Sequence, residues 1–201
     1  FNNFVDKASD IFDSLSPPEP TLLKRNDSSS NYTKQSPLVN ISKLNDSSSG
    51  CFDSNCVIKM ADGSIKKLNQ LVKGDMILSM DKNNLTRYAS IICILEIKIT
   101  SGIREFVDLD GLFITPWHPI KYNNTWVYPA TIKNPIVKTC SSIITLVLDN
   151  HHVAIINDYP CITLGHGFKE GILNHPFYGT NAIIDIMKTH YGWNNGHVLL
   201  N

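Results

Sequence analysis

Between residues 56 and 157 the chain breaks into short runs rich in β-branched and aromatic residues, at 56–60, 76–80, 90–99, 104–109, 112–115, 136–148 and 152–157. Turn signals separate them, among them Asp62-Gly63, Lys73-Gly74-Asp75 and Asp81-Lys82-Asn83-Asn84. Runs this short, punctuated this way, predict an all-β domain of about 110 residues. Only 180–190 carries a firm helical spacing, with Thr180 as N-cap and Ile183, Ile186, Met187 and His190 on one face. Leu68-Asn69-Gln70-Leu71 predicts one helical turn before Gly74, and Trp126, Tyr128 and Trp193 are expected in the core. His151-His152 reads as the opening of a strand with one ring outward.

Upstream of Cys51 the composition is of another kind. Residues 4–15 place Phe4, Val5, Ala8, Ile11, Phe12 and Leu15 on one helical face, and Ser16-Pro17-Pro18 ends that pattern. From Glu19 to Gly50 the chain is rich in Ser, Asn, Asp, Lys and Pro, too poor in apolar surface to offset ordering. Residues 1–49 are therefore expected to be a largely disordered tail with one amphipathic helix and a linker, and residues 50–201 the folded domain. Because the chain opens on Phe1 rather than Met, it is expected to be a piece of something longer.

Lys+Arg and Asp+Glu number 18 each, so no electrostatic footprint argues for nucleic acid or an anionic membrane. Apolar runs such as Ile91 to Leu95 are too short to span a bilayer. Five cysteines at irregular spacing, Cys51, Cys56, Cys93, Cys140 and Cys161, fit reduced thiols and a cytoplasmic setting better than a disulfide framework. With His166 or His175 some of them could ligate zinc, but no pair has the tight C-x2-C spacing, so no metal and no cofactor is expected.

Two places carry chemistry. Cys51 begins the folded region, and Gly50 before it has no side chain to obstruct approach of the thiol to its own preceding carbonyl. In Thr115-Pro116-Trp117-His118-Pro119 the prolines remove two ladder donors, which makes a loop at the exit of the strand ending at Thr115. A histidine there serves as acid or base near neutral pH, and a threonine hydroxyl can bond a polarised carbonyl or amide. The plainer alternative is that Trp117 anchors the core and His118 merely occupies a turn.

Taken together, Gly50-Cys51-Phe52, Asp62-Gly63-Ser64-x-Lys66-Lys67-Leu68, Leu71-x-x-Gly74-Asp75-x-Ile77-Leu78 and Thr115-x-x-His118 resemble the Hint domain shared by inteins and Hedgehog proteins. Met60 to Ser64, Leu112 to Ile120, Trp126 to Pro129 and Thr163-Leu164-Gly165-His166-Gly167 look like the Hint-like domain attached to von Willebrand factor type A proteins. The resemblance covers about residues 50–199. It implies a mainly β, pseudo-twofold Hint-like fold with a short C-terminal helix, and a type A domain upstream.

The resemblance also implies a chemistry. Cys51 would attack the Gly50 carbonyl in an N-to-S acyl shift, His118 would protonate the leaving amide nitrogen, and Thr115 would hold the strained bond. Cys161 is similar in context to the second cysteine of Hedgehog processing domains, an acyl acceptor or redox partner, with a buried strand thiol as the alternative. Glu96 falls where Hedgehog domains place an activating carboxylate, with a solvated strand residue as the alternative. Inteins end in His-Asn before a nucleophile, whereas here His197 is followed by Val198-Leu199-Leu200-Asn201. Cleavage at Gly50-Cys51 without splicing is the expectation, in a single autocatalytic turnover with an unidentified acyl acceptor. An inert Hint-fold interaction module, or a thiol hydrolase acting in trans, are the competing readings.

Overall fold

The computed structural model describes residues 50–201. The helix expected at 4–15 and the linker after it lie outside them. The longest strand, β5 (Thr86–Lys98), is the spine. Its first half pairs with β4 (Met76–Met80), from Thr86↔Met80 to Ser90↔Met76. Its second half pairs with β11 (Ser142–Leu148), from Ile91↔Leu148 to Lys98↔Ser142. One strand thus serves two sheet regions, and β-branched side chains along Ile91-Ile92-Cys93-Ile94-Leu95 suit a pleated surface buried on both faces.

Every residue of β11 is buried. On its other side lies β1 (Phe52–Asp53), in register Phe52↔Ile144 and Asp53↔Ile143, and beyond β1 comes β7 (Leu112–Ile114), with Phe52↔Ile114. A two-residue strand is marginal alone. Flanked on both sides, it fixes the start of the domain in the middle of the sheet. β6 (Ile103–Leu109) pairs with β7 and with the edge strand β10 (Ile136–Thr139). The apolar run 136–148 is therefore two strands rather than the one expected. At Cys140 and Ser141 the backbone leaves β6, bonding Gly102 and Ile99, before joining β5.

The second region holds β2 (Val57–Lys59), β3 (Ile65–Lys67), β8 (Ile120–Tyr122), β9 (Thr125–Val127), β12 (Val153–Ile156) and β13 (Tyr159–Ile162). Three two-residue hairpins turn on Asp110-Gly111, Asn123-Asn124 and Asn157-Asp158, and all six residues have positive φ. These residue types tolerate the left-handed region that matches strand twist in such turns. A single 3-10 turn at Leu68–Gln70 agrees with the sequence expectation.

The helix α1 (Asn181–Lys188) starts at Thr180, whose Oγ1 accepts from the Ala182 amide at 3.3 Å. Ile183 and Met187 are buried, each such burial contributing about 1.5–3 kcal/mol. They join Leu95, Ile97, Ile143, Val147 and Cys51 in one hydrophobic cluster; a second, around Phe52, Ile58, Ile77 and Ile120, fills the other region. After α1 the chain returns as β14 (His197–Leu200), parallel to β5. His151 and His152 do not open a strand: both have positive φ, in a turn ahead of β12. Trp117 is 39% exposed, edge-on to Tyr128, rather than a core anchor. Trp126, Tyr128 and Trp193 are half-buried.

Candidate active site

Cys51 precedes β1 and is 1% exposed. Its amide donates to Thr115 Oγ1 at 3.0 Å, and the Thr115 amide donates to the Cys51 carbonyl at 2.9 Å. One threonine therefore holds the cysteine main chain from both sides. Thr115 can do so because β7 ends at Ile114 and Pro116 stops the ladder, so the hydroxyl turns inward rather than toward a neighbouring strand.

The chain then turns, with the His118 amide donating to the Thr115 carbonyl at 3.2 Å. This brings the His118 ring, 2% exposed, against Gly50 and over Phe52, the Phe52 and His118 centroids being 4.4 Å apart. His118 Nε2 bonds the Ile162 carbonyl at 2.7 Å. A carbonyl only accepts, so Nε2 carries the hydrogen and the neutral ring keeps its lone pair on Nδ1. Nδ1 is buried without a hydrogen-bond partner. A Cβ built on Gly50 would lie 3.0 Å from Nδ1 and 2.9 Å from Cγ, so that nitrogen faces the Gly50 main chain and only glycine fits there unshifted.

Burial pushes the His118 pKa down to about 4; the Ile162 bond offsets part of this and His166 adds to it. The Cys51 main chain lies near enough to favour the charged ring slightly, without completing a bond to Nδ1. At neutral pH the ring is neutral, with its lone pair on the Gly50 side.

Gly50 and His118 also line a cavity of about 60 Å³, together with Thr145, Thr163, His166 and Tyr178. Thr145 lies on β11, is 2% exposed, and its Oγ1 has no hydrogen-bond partner. His166 accepts the Phe168 amide through Nδ1, and His175 accepts those of Phe177 and Tyr178, so both rings are locked in the tautomer with hydrogen on Nε2. Burial, with the charges of His152 and His175, pushes His166 down to about 4. Thr145 and the Ile162 carbonyl do not figure among the sequence candidates. The one available signal was a hydroxyl in the middle of the apolar run from Ile143 to Leu148.

Cys51, Thr115, His118 and Gly50 come together. Cys161 and Glu96 have other surroundings. Cys161, fully buried on β13, packs with Cys56 in the cluster that does not hold Cys51, and its Sγ donates to the Tyr159 carbonyl at 3.3 Å. Burial pushes its pKa well up, and that of Cys56 up to about 12. Glu96, on β5, bonds Lys98 and His197, each at 2.9 Å. Burial raises its pKa, but the hydrogen bonds from Lys98 and Ser142 and the electrostatic interactions with Lys98 and His197 outweigh this and hold it below the usual carboxylate range. Among the described residues no group of three or more His, Cys, Asp or Glu is placed to hold a metal, and no helix is long and apolar enough to cross a membrane.

Solved structures similar to this chain include a bacterial intein-like domain from Clostridium thermocellum, 9% identical, covering 56% of this chain and 97% of that one with a TM-score of 0.47. A DnaB intein from Synechocystis sp. PCC 6803 is 12% identical, covering 57% and 98% with a TM-score of 0.45. A DnaX mini intein from Spirulina platensis is 13% identical, covering 56% and 99% with a TM-score of 0.43. Likenesses at this level add no weight of their own. No curated protein matches the sequence. The family model Vint, described as a Hint-domain, matches residues 50–201, the whole of the described fold with Gly50 and Cys51 at its start. On that match the chain belongs to the Vint family of Hint domains.

Proposed function

We propose that this domain cleaves its own Gly50–Cys51 bond through an N-to-S acyl shift and resolves the thioester without splicing. The observation that carries the reading is the pair of groups on that one bond: Thr115 Oγ1 on the Cys51 amide, and the His118 Nδ1 lone pair facing Gly50. Cys51 Sγ bonds the Gly50 carbonyl carbon and the bond to the Cys51 nitrogen breaks. The thiol proton passes to His118 Nδ1 and from there to the leaving nitrogen. Thr115 fixes the rotation of the scissile peptide plane, so little reorganisation remains at the moment of attack.

Resolution without splicing is supported by His197, which is followed by Val198 rather than by the asparagine that cyclises in inteins. For Cys161 the surroundings support the buried strand thiol of the two alternatives, and for Glu96 an ion-paired strand residue. The upstream segment of the same polypeptide is the partner released. The blocks at 60–64, 112–120, 126–129 and 163–167 support a von Willebrand factor type A domain there. Five buried thiols outside any disulfide support a reducing compartment such as the cytoplasm.

Intact mass of freshly purified protein, with and without dithiothreitol or hydroxylamine, beside Cys51→Ala and His118→Ala, tests this. Two fragments meeting at Gly50–Cys51 and absent in Cys51→Ala support the reading. One uncleaved mass under every condition leaves an inert Hint-fold module.

A further inference from the structure

Three buried side-chain polar atoms among the described residues lack a hydrogen-bond partner: His118 Nδ1, Thr145 Oγ1 and His152 Nδ1. The residues of the first two line one cavity, and that cavity reaches Gly50. Leaving a buried donor or acceptor unpaired is costly, so two beside one small cavity point to a shared polar occupant. The register explains the convergence. Phe52 lies opposite Ile144, and Cys51 and Thr145 are the next residues beyond that pair, one on each segment. The Leu164 amide donates to the Leu146 carbonyl, which draws Thr163 and the Ile162 carbonyl to the same wall.

Resting on the self-cleavage reading above, we infer that this cavity is the acceptor site, that its acceptor is water, and that Thr145 holds that water against the Gly50 carbonyl. A cavity of about 60 Å³ admits a few water-sized molecules, given that one needs roughly 10–15 Å³. Thr145 Oγ1 and His118 Nδ1 give the water two of the partners it needs, Thr145 as donor or acceptor and Nδ1 as acceptor. Once the thioester has formed, His118 Nδ1 takes a proton from the water and the water oxygen bonds the Gly50 carbonyl carbon. The carbon–sulfur bond then breaks, and the Cys51 thiolate takes the proton from Nδ1. The products are a Gly50 carboxylic acid and a domain beginning with a free cysteine.

The test uses the full chain in heavy-oxygen water, comparing wild type, Thr145→Val, Thr145→Ser and Cys51→Ala by intact mass. Valine keeps the shape of threonine and removes an unpaired hydroxyl, so the fold should persist, checked by circular dichroism. The wild-type upstream fragment should carry one heavy oxygen. Thr145→Val should slow hydrolysis by about tenfold or more while hydroxylamine still releases the upstream fragment, and Thr145→Ser should recover most of the rate. Hydrolysis of Thr145→Val at the wild-type rate, or an equal loss of hydroxylamine release, overturns the role of Thr145 while leaving self-cleavage standing. An upstream fragment carrying an adduct other than water overturns the acceptor. Wild type as uncleaved as Cys51→Ala, even in hydroxylamine, overturns both readings.

Discussion

His118 donates through Nε2 to the carbonyl of Ile162 at 2.7 Å, and this bond decides which nitrogen faces the cleavage junction as a base. A main-chain carbonyl is a fixed acceptor, so the tautomer is set by the fold and not by solvent. The partner comes from the end of β13, while His118 follows β7, so the catalytic tautomer requires both sheet regions to be assembled.

Thr115→Val should cut the first-order rate of spontaneous cleavage by about a hundredfold, because it removes the acceptor holding the Cys51 amide while preserving side-chain shape. The loss of one buried hydrogen bond costs about 1–3 kcal/mol, so the melting temperature should fall by several degrees without loss of the fold. Timed intact mass and thermal denaturation read the two effects separately.

Gly50→Ala should slow cleavage for a different reason. A Cβ at position 50 would sit 2.9 Å from His118 Cγ, closer than real contacts allow, so the ring or the scissile peptide must shift. A displacement on the order of an ångström costs up to about a hundredfold in rate. Where the scissile peptide rather than the buried His118 ring gives way, urea denaturation should give the same midpoint in an otherwise identical Cys51→Ala background. A lower midpoint there would mean that residue 50 supports the fold as well as the reaction.

Stability should fall as pH drops from about 6.5 toward 4 and be flat above about pH 7. Burial holds His118 and His166 at about 4 and lowers His152 and His175 as well, against an ordinary value near 6.5. In that window the unfolded chain binds more protons than the folded one, so protons favour unfolding. The sum should reach a few kcal/mol by pH 4.5, read from urea midpoints across pH. A profile with no slope between pH 7 and 5 would falsify the burial of these rings.

All five thiols are buried and outside any disulfide, so the native protein should react slowly with Ellman's reagent and release five equivalents once unfolded. Burial pushes Cys56 up to about 12 and Cys93 up to about 11, which keeps both protonated at the pH of the assay. Five fast-reacting thiols without denaturant would contradict this packing.

The long apolar runs of β5 and β11 were legible because a buried strand needs continuous β-branched sequence. The Thr180 cap and the Ile183 and Met187 face were legible because a helix repeats. β8, β9 and β13 were not. They are three or four residues long, Pro160 sits inside β13, and their hairpins turn on Asn123-Asn124 and Asn157-Asp158, pairs without the glycine that makes such turns conspicuous. β14 was hidden because its parallel pairing with β5 follows from tertiary placement, not from any local pattern. At the site, Cys51, Thr115 and His118 stand out as polar residues at corners. The Ile162 carbonyl leaves no trace in the sequence, since any residue supplies one, and Thr145 is an ordinary strand residue until its neighbours are known.

Because β1 lies between β7 and β11, every ladder contact of β1 among the described residues lies downstream of the Gly50–Cys51 bond. On the proposed reading, scission there leaves those ladders in place. The new α-amino group then belongs to a residue 1% exposed, beside the Thr115 hydroxyl. On the proposed pathway it remains able to attack the thioester and restore the peptide bond. Directionality on this pathway therefore comes from capture of the thioester by water before that amine returns to it, rather than from any collapse of the domain.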